Sequence, residues 1–349
     1  MPFTADEIAD INNSALMAYL DKGKVWKQNV SNKPMLEAFN ESAGKFSGGK
    51  DYVSFAVKSG QGGGTLAGYS GDDQVTYYNP TGIKRAQYPW KEHHIGMVVS
   101  MTELKIDGIN VEESGADQTT SAMDGREEHA LANLLDEKLD TMGEDYAYSL
   151  DRLLHGDGSG DAKAIAGISS ILTSTPTTGS TGGISRAANT WWRNRAGTTT
   201  SASTGGGALI SFMDKELRER SRFKGGSTKM RYFCGKDFID AYKAELRANG
   251  TYSNTGWSNT NNDGAMPDPS HAGLSLTWDP TMDDLGLQKY CYAIDMGRSG
   301  IRLLYMDGQR MKKHNPARPY DRYVMYNGIT MTGVLVAKQL NTSGVYQIT

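Results

Sequence analysis

Between Asp124 and His155 the apolar residues Leu131, Leu134, Leu135, Leu139, Met142, Tyr146, Leu150, Leu153 and Leu154 recur three and four apart, with acids and bases opposite them. This is the pattern of one amphipathic helix. At 1.5 Å per residue such a helix runs about 45–50 Å, longer than a small domain is wide. Whatever the chain folds into must therefore be built along a rod. The rod ends at Gly156-Asp157-Gly158-Ser159-Gly160, where glycines tolerate the left-handed backbone that closes a helix.

The segments around the rod alternate between strand patterns and long polar stretches. Residues 52–58 and 94–102 place Val53, Phe55 and Val57, then Ile95, Met97, Val99 and Met101, on single faces with period two. The interval between them includes Gly60-Gln61-Gly62-Gly63-Gly64 and is too polar to pack as a core. An extended hairpin arm accommodates it. Upstream, Thr4-Ala5-Asp6-Glu7 followed by Ile8, Ile11, Ala15, Leu16 and Tyr19 predicts a short capped helix. A second helix is expected near Pro34–Phe39, then a glycine-serine linker at 44–49. Together they form an arm rather than a domain.

Downstream, Leu209, Ile210, Met213 and Leu217 predict a helix, Lys229 to Cys234 a strand, and Phe238, Ile239, Tyr242 and Leu246 another helix. Residues 248–272 read as loop, and 290–294 and 301–306 as strands. The tail reads as a β-meander: Tyr320 to Tyr326, an Asn327-Gly328 turn, Ile329 to Val336, and Gly344 to Ile348.

Composition narrows the function. Forty-one glycines in 349 residues is about 12%, against roughly 7% in ordinary proteins. Much of the excess falls in the hairpin, after the rod and beside Trp191-Trp192. The longest apolar runs, such as Val334–Ala337, are far too short to span a membrane as a helix. The start lacks the basic and apolar regions of a secretory signal. Cys234 and Cys291 are too few for a disulfide framework, and a reducing compartment fits them. A net charge of −3, from 37 basic and 40 acidic residues, argues against a dedicated nucleic-acid binder.

No motif carries chemistry. Gly60–Gly64 lacks the Gly-Lys-Ser/Thr of a phosphate loop. Asp157–Asp161 spaces oxygens like a calcium loop but lacks the required glycine and the bidentate glutamate, so a helix-ending turn is expected. A metal-dependent hydrolase would have to draw on His93 or His94 with His129 and Glu127. However, His93 and His94 point to opposite faces of a strand, and Glu127 suits a helix start. Cys234 reads as a small buried hydrophobe. Adjacent tryptophans in Trp191-Trp192-Arg193-Asn194 mean that the Thr/Ser/Gly-rich stretch 167–207 is pinned onto a surface.

The order of parts, and several short motifs, resemble the major capsid protein of tailed bacteriophages, whose fold is shared with encapsulin shells and the herpesvirus capsid floor. Leu153–Gly160 with Ala166-Gly167-Ile168 resembles that family's spine-helix exit. Met230–Phe238 resembles its axial strand-to-helix step, and Gly273-Leu274-Ser275-Leu276 its Gly-Leu-Pro-Val strand. Arg318–Arg322 resembles the closing strands of the peripheral domain. Gly183-Ile184-Ser185-Arg186 with Trp191–Asn194 resembles a pattern from one branch of coat proteins.

The resemblance implies an α+β fold with an N-terminal arm (1–50) and an extended hairpin loop (51–103). A peripheral domain (104–205 and 305–349) would contain the spine helix, and an axial domain would span 206–304. It implies a non-enzymatic, cofactor-free shell subunit that assembles in the host bacterial cytoplasm. Hexamers and pentamers of the chain would form the icosahedral head of a virion around packaged double-stranded DNA. Portal and possible decoration proteins are the implied partners, and no scaffolding-like extension precedes the arm, so a separate scaffolding protein is expected. An encapsulin-type shell around an enzyme cargo is the alternative. The contact candidates between subunits are Lys58, Tyr69, Lys84 and Arg85 on the hairpin, and Trp191, Trp192 and Arg193 on the pinned loop. No motif carries over the lysine–asparagine cross-link of some members.

Overall fold

The computed structural model describes residues 3–4, 32–47, 51–60, 66–79, 82–100, 102–103, 111–112, 125–200, 207–226, 228–248, 269–314, 316 and 322–349. The capped helix expected over residues 4–19, most of the 248–272 loop, residues 61–64 and Arg318–Asp321 lie outside them. So do the side chains of Glu127 and His129.

The strands in chain order are β1 (Phe3–Thr4), β2 (Gly44–Phe46), β3 (Tyr52–Lys58), β4 (Ile83–Pro89), β5 (Lys91–Ser100), β6 (Val111–Glu112), β7 (Ser180–Thr181), β8 (Ile184–Ser185) and β9 (Arg195–Thr199). They continue as β10 (Met230–Cys234), β11 (Ser270–His271), β12 (Leu274–Trp278), β13 (Tyr290–Asp295), β14 (Ile301–Met306), β15 (Lys312–His314), β16 (Val324–Ala337) and β17 (Gly344–Ile348). The helices are α1 (Pro34–Glu41), α2 (Gly125–His155), α3 (Ile168–Ile171), α4 (Ala208–Ser221), α5 (Lys236–Ala248) and α6 (Pro280–Asp284). The rod is α2, at 31 residues.

Two compact units emerge. The first comprises residues 1–31, 92–152 and 306–332. Here β5 and β15 pair with β16, and the buried face of α2 sets Leu139 and Met142 against Ile329, Ile95 and Met97. The Tyr146 hydroxyl donates to Met331 Sδ at 3.0 Å. The expected turn at Asn327-Gly328 is absent, because β16 runs straight through it. A Cβ on Gly328 would lie 2.5 Å from His94 Nε2 and 2.7 Å from the Ile95 carbonyl. The glycine therefore serves a close approach between backbones rather than a reversal.

The second unit comprises residues 32–91, 153–305 and 333–349. Its main sheet runs β11-β12-β10-β13-β17-β9. The sheet packs Tyr232, Cys234, Leu276, Cys291, Ala293, Tyr346 and Ile348 against Leu209 and Met213 of α4 and Phe238, Ile239 and Tyr242 of α5. The expected tail meander is corrected here. β17 leaves β16 and lies inside this sheet, antiparallel to β13 and parallel to β9. The 44–49 linker is corrected as well, since Gly44–Phe46 forms a strand beside β14.

Three buried charged groups anchor this core. Glu245, fully buried, accepts the Leu209 and Ile210 backbone N–H groups and so caps α4. Glu216 takes both arms of Arg195 at 2.7 and 2.8 Å. Arg220, fully buried, donates to the Tyr232 hydroxyl at 2.6 Å and lies over the Tyr232 and Tyr346 rings.

Cys234 and Cys291 are directly opposite on β10 and β13, fully buried, with sulfurs 3.1 Å apart. Burial pushes the Cys234 thiol well above its ordinary range, which suppresses the reactive thiolate. Neither thiol should react with an aromatic disulfide reagent in the native protein, and both should react after unfolding. Rapid native labelling of either would contradict this register.

Candidate assembly surfaces

The hairpin arm has an anchored foot and an open tip. β3 and β4 pair over seven positions, from Tyr52↔Pro89 to Lys58↔Ile83, a ladder about 20 Å tall. Val53, Ala86 and Tyr88 are buried at the foot. The Tyr88 hydroxyl donates to the Ala337 carbonyl at 2.8 Å, and burial raises its pKa. The Gln87 N–H donates to the Gly182 carbonyl, and Gly182 itself (φ +58°) leaves room for the Tyr88 ring. Lys338 Nζ sits 4.6 Å from the Phe55 ring centre.

Beyond the foot the arm is bare. Residues 66–79 are exposed throughout. Leu66 is fully exposed, Tyr77 is 93% exposed and Tyr69 71%. These large apolar side chains cluster on one loop, the kind of exposure found at interaction surfaces. The sequence candidates Lys58, Lys84 and Arg85 stand exposed along the stalk, and Tyr69 lies in the tip. Leu66, Val75, Tyr77 and Tyr78 also belong to this surface, and the sequence reading passed over them. Their signal was available as large apolar residues inside an otherwise polar, glycine-rich interval.

The tryptophan loop is a knot centred on Arg186, which is 2% exposed. Its guanidinium donates to Thr181 Oγ1 (Nε, 2.8 Å), Thr173 Oγ1 (2.8 Å) and the carbonyls of Ser170 (2.8 Å) and Ile171 (3.1 Å). Burial lowers its pKa. Trp192 Nε1 donates to the Thr181 carbonyl at 3.0 Å, and the Asn194 amide donates to the Thr173 carbonyl at 2.9 Å. Trp192 is 2% exposed, so its side chain pins the loop within its own chain and offers no face to a neighbour. Arg193 is likewise engaged, donating to the Arg186 and Ala187 carbonyls. Trp191, partly exposed, is the ring of this pair that remains open.

The exit of α2 explains its glycine motif. A Cβ on Gly167 would collide with the carbonyl oxygens of Leu153, Leu154 and Gly156. Only glycine lets this strand of backbone cross the helix end. The carboxylate of Asp157 accepts the Ser159 N–H and hydroxyl at 2.9 and 2.8 Å, and that of Asp161 accepts the Lys163 N–H. Both act as local turn caps. Among the described residues no group of three or more His, Cys, Asp or Glu is placed to hold a metal. His94 packs edge-on to His314, with ring centres 5.4 Å apart. No helix in the described residues is long and apolar enough to cross a membrane.

By sequence the chain matches no protein-family profile and no curated protein. Its fold has counterparts among solved structures. The cyanophage A-1(L) capsid asymmetric unit superposes with a TM-score of 0.64 at 14% identity, covering 92% of this chain and 94% of that one. The capsid of Myoviridae phage XM1 gives 0.55 at 12%, covering 93% and 94%. The capsid of a native GTA particle gives 0.53 at 12%, covering 93% and 92%. The chain therefore has the α+β fold of these capsid proteins.

Proposed function

We infer that this chain is the structural subunit of an icosahedral phage head, assembling through hexamers and pentamers into a shell around double-stranded DNA. The observation that carries the reading is the hairpin arm. Its foot is locked into the chain, while its apolar tip is exposed along its whole length. An arm of this kind gains burial only from a neighbouring copy, and many such weak contacts sum in a lattice. The capsid fold over more than nine-tenths of the chain agrees with this.

On this reading residues 206–304 form the axial domain at the ring centres. Residues 104–205 and 305–349 form the peripheral domain, and the N-terminal arm and hairpin lie across neighbours. A separate scaffolding protein, a portal and possible decoration proteins complete the partners. The chain resides in the virion after assembly in the bacterial cytoplasm, and its role is structural rather than enzymatic.

Electron microscopy of the purified, expressed chain tests this. Closed shells with five-fold and six-fold capsomers are expected. Replacing residues 66–79 by a short Gly-Ser link should leave a folded, soluble chain that no longer closes shells. A persistent monomer from the intact chain, both alone and with its scaffolding protein, would overturn the reading, as would shells enclosing a protein cargo in place of DNA.

A further inference from the structure

A second surface on the chain is complementary to the hairpin tip. A groove of about 360 Å³ opens between α1 and the ends of β10, β13 and β14, with Met296 buried at its floor. Four cations line it, Lys229, Arg231, Arg298 and Arg302, against one carboxylate, Glu41. Arg231 pairs with Glu41 at 2.7 Å, and Arg302 donates to the Ser42 and Ala43 carbonyls. Among the described residues Lys229 and Arg298 make no ion pair, and both are exposed. Lys338 stands close enough that Arg302 and Arg298, after burial, depress its pKa. A further carboxylate, Asp295, is buried beside the groove and accepts the Lys229 and Gly297 backbone N–H groups, so the exposed lining keeps a surplus of positive charge.

The tip carries the opposite charge. Residues 66–79 contain Asp72 and Asp73 and no lysine or arginine. The two carboxylates sit on a preformed turn: the Asp73 N–H donates to the Ser70 carbonyl at 3.0 Å, the Ser70 N–H donates to Asp73 Oδ2 at 2.8 Å, and Gly71 has φ +45°. The turn is therefore already shaped, and little ordering opposes its capture. Asp72 is exposed.

We propose that the groove lined by Lys229 and Arg298 receives the Ser70–Asp73 turn of a second copy of this chain. This rests on the shell reading above and specifies where one arm lands. Tip and groove are different surfaces, so the contact is heterologous, the kind that closes into rings. A nucleic-acid backbone fits less well. It carries one charge about every 1.7 Å and would pass the Glu41 carboxylate on the rim as closely as the cations.

Charge reversal tests the pairing. Asp72→Lys alone, and Lys229→Glu with Arg298→Glu, should each raise the protein concentration needed for shell formation about tenfold, a buried charge-pair effect of ordinary size. The triple variant should recover most of it. Far-UV circular dichroism checks that each variant is folded. Independently, a labelled peptide of residues 66–79 should bind the unassembled full-length chain. Binding should be lost in high salt, in the Lys229→Glu/Arg298→Glu chain, and with lysine at position 72 of the peptide. Failure of the triple variant to recover assembly overturns the pairing. So does a groove variant that forms shells normally but retains less DNA, which would assign the groove to phosphate. If the unaltered chain forms no shells, alone or with its scaffolding protein, the shell reading falls, whereas peptide binding still reports on the groove by itself.

Discussion

Arg186→Met is expected to lower the unfolding free energy of the chain by about 3 kcal/mol, read from urea denaturation of the unassembled protein. The guanidinium is buried with neutral partners only among its hydrogen bonds: two threonine hydroxyls and the carbonyls of Ser170 and Ile171. The hydroxyls can turn to other acceptors, but the carbonyls cannot, and each buried group left without a donor costs about 1–3 kcal/mol. Arg186→Lys should recover only a fraction, because one ammonium with three donors cannot replace a planar fork with five. Arg85→Met, on the exposed stalk, is the control and should stay within about 0.5 kcal/mol of wild type. On the proposed shell function the loss should also reach assembly. The knot presents the Gly182 carbonyl that receives the hairpin foot, so Arg186→Met shells should form poorly even where the chain still folds. A stability change below about 1 kcal/mol would mean that the knot is held chiefly by its tryptophan and asparagine.

The second large effect is expected at Asp279, which is fully buried. One carboxylate oxygen lies 3.0 Å from Nε2 of His155, the last residue of α2, and the other accepts the Thr281 N–H at the start of α6. A single side chain thus holds the exit of the rod and caps a short helix. Asp279→Ala removes the carboxylate that faces a buried imidazole and removes the cap together. A loss of about 3–5 kcal/mol is expected, the range for breaking a buried pair from one side. Asp279→Asn keeps the capping oxygen and should lose clearly less, because cap removal alone costs about 1 kcal/mol. Thermal unfolding of both variants checks the order. Equal losses would place the whole effect on the His155 contact and none on the cap.

The rod, the hairpin and most strand bounds were legible because each depends on local periodicity. Gly125–His155 against an expected 124–155, and Ile301–Met306 as expected, are cases where period and core face agree. What failed was decided at a distance. Asn327-Gly328 reads as a hairpin turn by local chemistry, yet it is spent on the approach of His94 and Ile95, more than 200 residues away in sequence. Gly344–Ile348 has ordinary strand composition, and nothing in it tells β13 and β9 from the nearer β16. Trp192 and Trp191 are chemically identical, and only the knot around Arg186 determines which faces inward. The acid-bearing tip was visible as exposed chain, but the groove of Lys229 and Arg298 draws on α1 and on strand ends scattered along the chain. No spacing rule links them.

The place of β17 bears on when a subunit becomes usable. Among the described residues β9 joins the main sheet through β17 alone, and about four-tenths of the chain is synthesised between them. At roughly 5–20 residues per second of synthesis, β9 waits on the order of ten seconds for its partner. A nascent chain therefore presents an open sheet until residue 348 has emerged, and a truncated product never closes it. Emergence of β17 is thus the step that closes the sheet, and completion of this unit waits for it.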